Sequence, residues 1–88
     1  MQCHVIFYGV VQGVGFRNKT RRMAKSLNVK GWIKNLSDGS VEAMIQGRPE
    51  DVEQLINYCK SEMYDALVTD LKIEYVKEDD LDNFEILR

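Results

Sequence analysis

None of the first 37 residues is an aspartate or a glutamate, although the chain of 88 residues carries 14 acids. The same stretch holds Arg17, Lys19, Arg21, Arg22, Lys25, Lys30 and Lys34. A net charge of −2 therefore hides a first part at +7 and a remainder at −9. Such asymmetry has two readings: an anionic partner for the first part, or neutralisation of one part by the other in the fold. Two cysteines, Cys3 and Cys59, and the single histidine, His4, are too few for a zinc site with about four clustered ligands. The thiols read as free and buried in a reducing compartment, so the expected location is cytoplasmic. No apolar run approaches the roughly 20 residues of a membrane span, and the N-terminus lacks a signal-peptide pattern, so no membrane partner is expected. Proline occurs once, at Pro49, and no repeat or Pro/Gly/Ser-rich linker divides the chain. A chain of this length fills one core, which makes residues 1–88 a single expected domain.

What is present has an ordinary globular balance, 44% hydrophobic and 30% charged. Residues 3–11 are mostly β-branched and aromatic and read as a buried strand. Phe16, Thr20, Met23, Ala24 and Leu27 then recur at helical spacing, with Asn28 suited to a left-handed C-terminal cap. Residues 31–35 and 40–46 read as a hairpin joined through "LSDG", with Gly39 at the positive-φ position. A second helix begins at "RPEDVEQL". Pro49 suits its first turn, Glu50 and Asp51 complement its dipole, and Val52, Leu55, Ile56, Cys59 and Met63 form its stripe. A fourth strand alternates Thr69, Leu71, Ile73 and Tyr75, the acidic "KEDDLD" reads as a solvated loop, and "NFEIL" ends the chain as a short strand. The predicted fold class is α+β: a ferredoxin-like βαββαβ sandwich, an antiparallel sheet with two helices on one face and a short C-terminal extra strand.

The stretch "GVVQGVGFR", residues 9–17, breaks the rule that the second helix obeys. It brings Arg17, followed by Lys19, Arg21 and Arg22, to the positive end of a helix dipole, where exposed cations cost about 0.3–1 kcal/mol each. Departures from local rules mark functional sites. Gly13 and Gly15 allow the backbone to curl, and the helix start leaves N–H groups without partners. Together they predict a nest of donors for one small anion, with a guanidinium able to hold two of its oxygens. No Gly-Lys-Ser/Thr follows, so this is not a nucleotide P-loop. Asn18 stands where a dinucleotide fingerprint needs its third glycine. From the residues alone, a tight strand-to-helix turn with an exposed basic helix remains the other reading.

"GVVQGVGFR" and "GWIKNLSDGSVEAMIQG" resemble the two signatures of the acylphosphatase family. The first agrees at Gly9, Val11, Gln12, Gly13, Val14, Phe16 and Arg17. The second agrees at Gly31, Trp32, Lys34, Asn35, Gly39, Val41 and Gly47, with Ile33 where the family usually has valine, alanine or cysteine. The resemblance implies a metal-independent acid anhydride hydrolase. Its reaction is hydrolysis of the carboxyl-phosphate bond of acyl phosphates to a carboxylate and inorganic phosphate, without covalent intermediate or cofactor. It implies that the backbone of Gln12, Gly13, Val14, Gly15, Phe16 and Arg17 binds the phosphoryl group. The Arg17 side chain would hold its oxygens and Asn35 would orient the attacking water. Inorganic phosphate or sulfate would then compete as product or mimic. A different class of function, a non-catalytic ferredoxin-like anion- or RNA-binding module, would show stacking aromatics on its central strands. "SVEAMIQ" has none and carries an acid, so no nucleic-acid partner is expected. Nothing in the chain demands more than a monomer.

Overall fold

The computed structural model describes residues 1–88. Five strands and two helices follow one another as β1 (Gln2–Val10), α1 (Phe16–Ser26), β2 (Lys30–Asn35), β3 (Val41–Gln46), α2 (Pro49–Asn57), β4 (Leu67–Val76) and β5 (Phe84–Ile86). The sheet order is β4-β1-β3-β2-β5. The first four strands are antiparallel to their neighbours, as expected. The fifth is added to β2 in parallel, which makes the sheet mixed. Parallel addition follows from the order: β4 lies at one edge and β5 at the other, so the chain must cross the whole sheet end between them.

Alternation along the strands sends Cys3, Val5, Phe7, Ile33, Val41, Ala43 and Ile45 to one face, where all are buried. Phe16, Thr20 and Ala24 of α1, and Val52, Leu55 and Ile56 of α2, cover that face. α2 continues into a π-helical turn over Tyr58–Glu62, which keeps Cys59 buried in line with the earlier stripe; Met63 follows it into the core. Asn28 takes φ 57° just beyond α1, the left-handed cap that its side chain favours. The predicted β4 stripe is only partly covered, because the edge strand extends beyond the helices. Ile73 is 39% and Tyr75 69% exposed.

The acidic crossing is more tightly held than a solvated loop. The amide of the buried Gln2 donates to Asp79 Oδ2 (3.1 Å) and accepts from the Asp79 N–H (2.7 Å). Gln46 donates to the Asp79 carbonyl, and the N-terminal amine pairs with Glu78. These contacts lie where β1 begins and β3 ends. The basic loop lies at the opposite end, where β1 ends, β2 ends and β3 begins. The acidic crossing and the basic loop therefore lie at opposite ends of the sheet, although Asp38 and Asp65 stand near the basic loop. Of the seven Lys and Arg side chains in residues 1–37, only Lys19 and Lys34 reach an acid, Asp65 and Glu42 respectively. The fold leaves Arg17, Arg21, Arg22, Lys25 and Lys30 without an acidic partner, so neutralisation of one part by the other is incomplete.

Candidate active site

Residues 11–15 carry the chain from the end of β1 to the start of α1, and Gly13 and Gly15 give the loop its shape. Their φ values are 74° and 75°. A Cβ at Gly13 would meet nothing within 4 Å, and at Gly15 only Lys19 Cε at 3.7 Å. Backbone conformation, rather than crowding, is therefore what calls for glycine here. Gly15 is also the residue that caps α1, and no side chain bonds the free N–H groups of the first turn. No N–H of residues 12–18 donates to any backbone or side-chain acceptor of the protein. The first turn of α1 contains no acid, whereas that of α2 has Glu50 and Asp51, the latter 2.8 Å from Arg48 Nε. The loop thus presents a run of unused donors at the positive end of a helix dipole.

A cleft of about 440 Å³ opens over these donors. Gln12, Gly13 and Gly15 line it from the loop, and Phe16, Arg17, Asn18 and Arg21 from α1. Ile86 and Arg88 close it from the C-terminus, with Val11 at the end of β1. Arg17, Arg21 and Arg88 form no ion pair. Phe16 is 1% exposed and its ring meets Phe7 edge-on at 5.3 Å, so the residue preceding Arg17 is anchored in the core. Thr20 Oγ1 donates to the Phe16 carbonyl at 2.8 Å and lies 3.3 Å from Cys59 Sγ, which ties the same turn to α2's extension. Burial pushes the Cys59 thiol up to about 12, so this sulfur is no nucleophile near neutral pH.

Two of the expected site residues stand apart from the cleft lining. Val14 packs against the core, and Lys19 Nζ lies 3.5 Å from its carbonyl and 3.3 Å from Asp65. Asn35 is exposed at the end of β2, opposite Val41 and on the side of the sheet shared with Ile33. Gln12 joins the two motifs. Its Nε2 donates to the carbonyls of Leu36 (2.8 Å) and Ser40 (2.9 Å), in the turn that begins one residue after Asn35. That turn is closed by Leu36 N–H to the Ser40 carbonyl and by Gly39 N–H to the Leu36 carbonyl, with Gly39 at φ 93°. Asp38 caps it through the N–H and hydroxyl of Ser40, and those bonds hold the Asp38 carboxyl below its usual range.

Of the residues that line the cleft, Val11, Asn18, Arg21, Ile86 and Arg88 were not among the expected site residues. Arg21 had a signal, because a residue four after Arg17 lies on the same helix face. Arg88 had none. It reaches the cleft only because β5 runs parallel to β2, with Leu87 N–H on the Ile33 carbonyl at 2.8 Å.

Fold and loop together define a ferredoxin-like α+β domain whose first strand-to-helix connection leaves a run of backbone N–H groups unpartnered. The family model described as acylphosphatase matches residues 3–86. An acylphosphatase of Thermoplasma volcanium is 48% identical over 96% of this chain and 93% of its own length. One of Haloquadratum walsbyi is 40% identical over 99% and 94%. The crystal structure of acylphosphatase from Bacillus subtilis superposes with a TM-score of 0.92 at 30% identity, covering 99% of this chain and 98% of that one. The chain belongs to the acylphosphatase family.

Proposed function

We propose that the chain hydrolyses acyl phosphates to a carboxylate and inorganic phosphate, with residues 12–17 as the phosphate-binding loop. The observation that carries this reading is the run of unpartnered N–H groups beside an unpaired Arg17. Phosphoryl transfer spreads charge over the equatorial oxygens, and fixed donors with one guanidinium stabilise that charge without a side-chain nucleophile. Water attacks phosphorus, the bond from phosphorus to the acyl oxygen breaks, and the carboxylate leaves with the bonding pair. Asn35 orients the water by accepting one of its hydrogen bonds. A neutral amide does not take the proton, so it passes to a phosphoryl oxygen of the substrate. A carboxylate is a good leaving group, which reduces the need for a strong base. The reaction as proposed uses no metal, and the substrate is a small molecule acted on by a single copy of the chain.

The test is hydrolysis of acetyl phosphate by purified protein with a chelator present. Turnover that chelator leaves unchanged and inorganic phosphate inhibits competitively is the expected result. Absence of turnover at micromolar enzyme would leave an anion-binding module and remove the catalytic reading.

A further inference from the structure

We infer that Gln12 is a positioning residue: its side chain, rather than its backbone, holds Asn35 in register with the phosphate-binding loop. The inference rests on the proposed roles of that loop and of Asn35. Its physical basis is the use the fold makes of one amide. Both Nε2 protons of Gln12 are committed, to Leu36 O at 2.8 Å and Ser40 O at 2.9 Å. Because both partners are carbonyls, only the NH₂ end can face them, which leaves no ambiguity about which way the amide points.

The two carbonyls belong to the ends of the turn that follows Asn35. Each also accepts one backbone bond within the turn, from Gly39 N–H at 3.2 Å and Leu36 N–H at 2.9 Å. The turn is therefore closed without Gln12. What Gln12 adds is a cross-tie between a turn of the β2–β3 hairpin and the loop after β1. Leu36 to Ser40 make no other hydrogen bond to residues 11–18. Water orientation depends on where the Asn35 amide stands relative to the bound phosphoryl group, and a displacement of about 1 Å can reduce a rate about 100-fold.

Gln12→Met keeps the length of the side chain and removes both donors. It should lower kcat about 10- to 100-fold while the affinity for inorganic phosphate stays within about threefold of wild type. The decisive comparison is a double-mutant cycle. Where Asn35 is already alanine, the same Gln12→Met change should cost almost nothing, because the group it positions is gone. Side-chain amide NMR resonances of Asn35 should shift in Gln12→Met while those of core residues stay in place. Equal fold-losses of kcat in the two backgrounds would overturn the inference, as would weakened phosphate binding with kcat retained. If wild-type protein hydrolyses no acyl phosphate, the functional reading fails separately. The NMR comparison then decides: displaced Asn35 resonances support the cross-tie, and unmoved ones overturn it.

Discussion

Replacing Arg17 by alanine should strengthen the fold and ruin the site. Arg17 is half-buried in the first turn of a helix that has no acid there, no side-chain cap and no carboxylate paired with the arginine. A cation at that end opposes the dipole by about 0.3–1 kcal/mol, which its removal returns. For a domain of this size, about 1 kcal/mol corresponds to about 4–8 °C, so Tm in phosphate-free buffer should rise by about 1–8 °C. The same change removes a charge-assisted contact to the phosphoryl group worth about 1.5–3 kcal/mol. Phosphate affinity should fall about 10- to 150-fold, at about 1.4 kcal/mol per decade. Turnover should fall further, about 100- to 1000-fold, because developing charge loses a preorganised donor. Scanning calorimetry of both proteins with and without phosphate reads both effects. At a phosphate concentration of 100 Kd, wild type gains about 2.7 kcal/mol, whereas the variant at the same concentration gains much less, so the order of Tm values reverses. If Arg17→Ala lowers Tm in phosphate-free buffer, the guanidinium braces the fold and the reasoning fails.

Two glycines should separate function from folding. Gly15→Val forces a β-branched residue to φ 75°, where space is free but the conformation is not, so activity should fall far more than stability. Wild-type turnover in that variant would remove Gly15 from the argument. Gly31→Ala places a Cβ 1.7 Å from the Met44 carbonyl across the β2–β3 ladder, so it should abolish cooperative unfolding near the wild-type Tm, and a native-like melt would contradict the strand geometry. Cys59, raised to about 12 by burial, stays protonated in the folded protein while an unfolded chain ionises near 9. Stability is thus fully present below pH about 9 and declines as pH rises toward 12, and Cys59→Ala should flatten that decline in denaturant titrations. An unchanged slope would show that other groups, Cys3 among them, cause it.

The fold was legible wherever a local rule decides the structure. Pro49 begins α2, Asn28 ends α1 in the left-handed region, Gly39 turns the hairpin, and the stripes of both helices face the core, with Met23 and Leu27 half-buried. The candidate site was legible because Arg17, which lines the cleft, contradicts the dipole rule that Glu50 and Asp51 follow. What escaped was non-local. No periodicity tells β5 to run parallel to β2, and Arg88 enters the cleft only through that pairing. Alternation in β4 was read correctly as a strand, yet a sheet edge beyond the helices leaves Tyr75 exposed. The commitment of Gln12 to the hairpin depends on two segments 24 residues apart meeting at one sheet end.

The central claim is that the N–H groups of the β1–α1 loop hold the phosphoryl group. Titration of 15N-labelled protein with inorganic phosphate, followed by amide NMR, addresses it without relying on turnover. The largest shifts should fall on Gly13, Val14, Gly15, Phe16 and Arg17, saturating with a single Kd, with smaller ones at Asn35 and Leu36. Largest shifts in α2 or on the open face of the sheet would contradict the account.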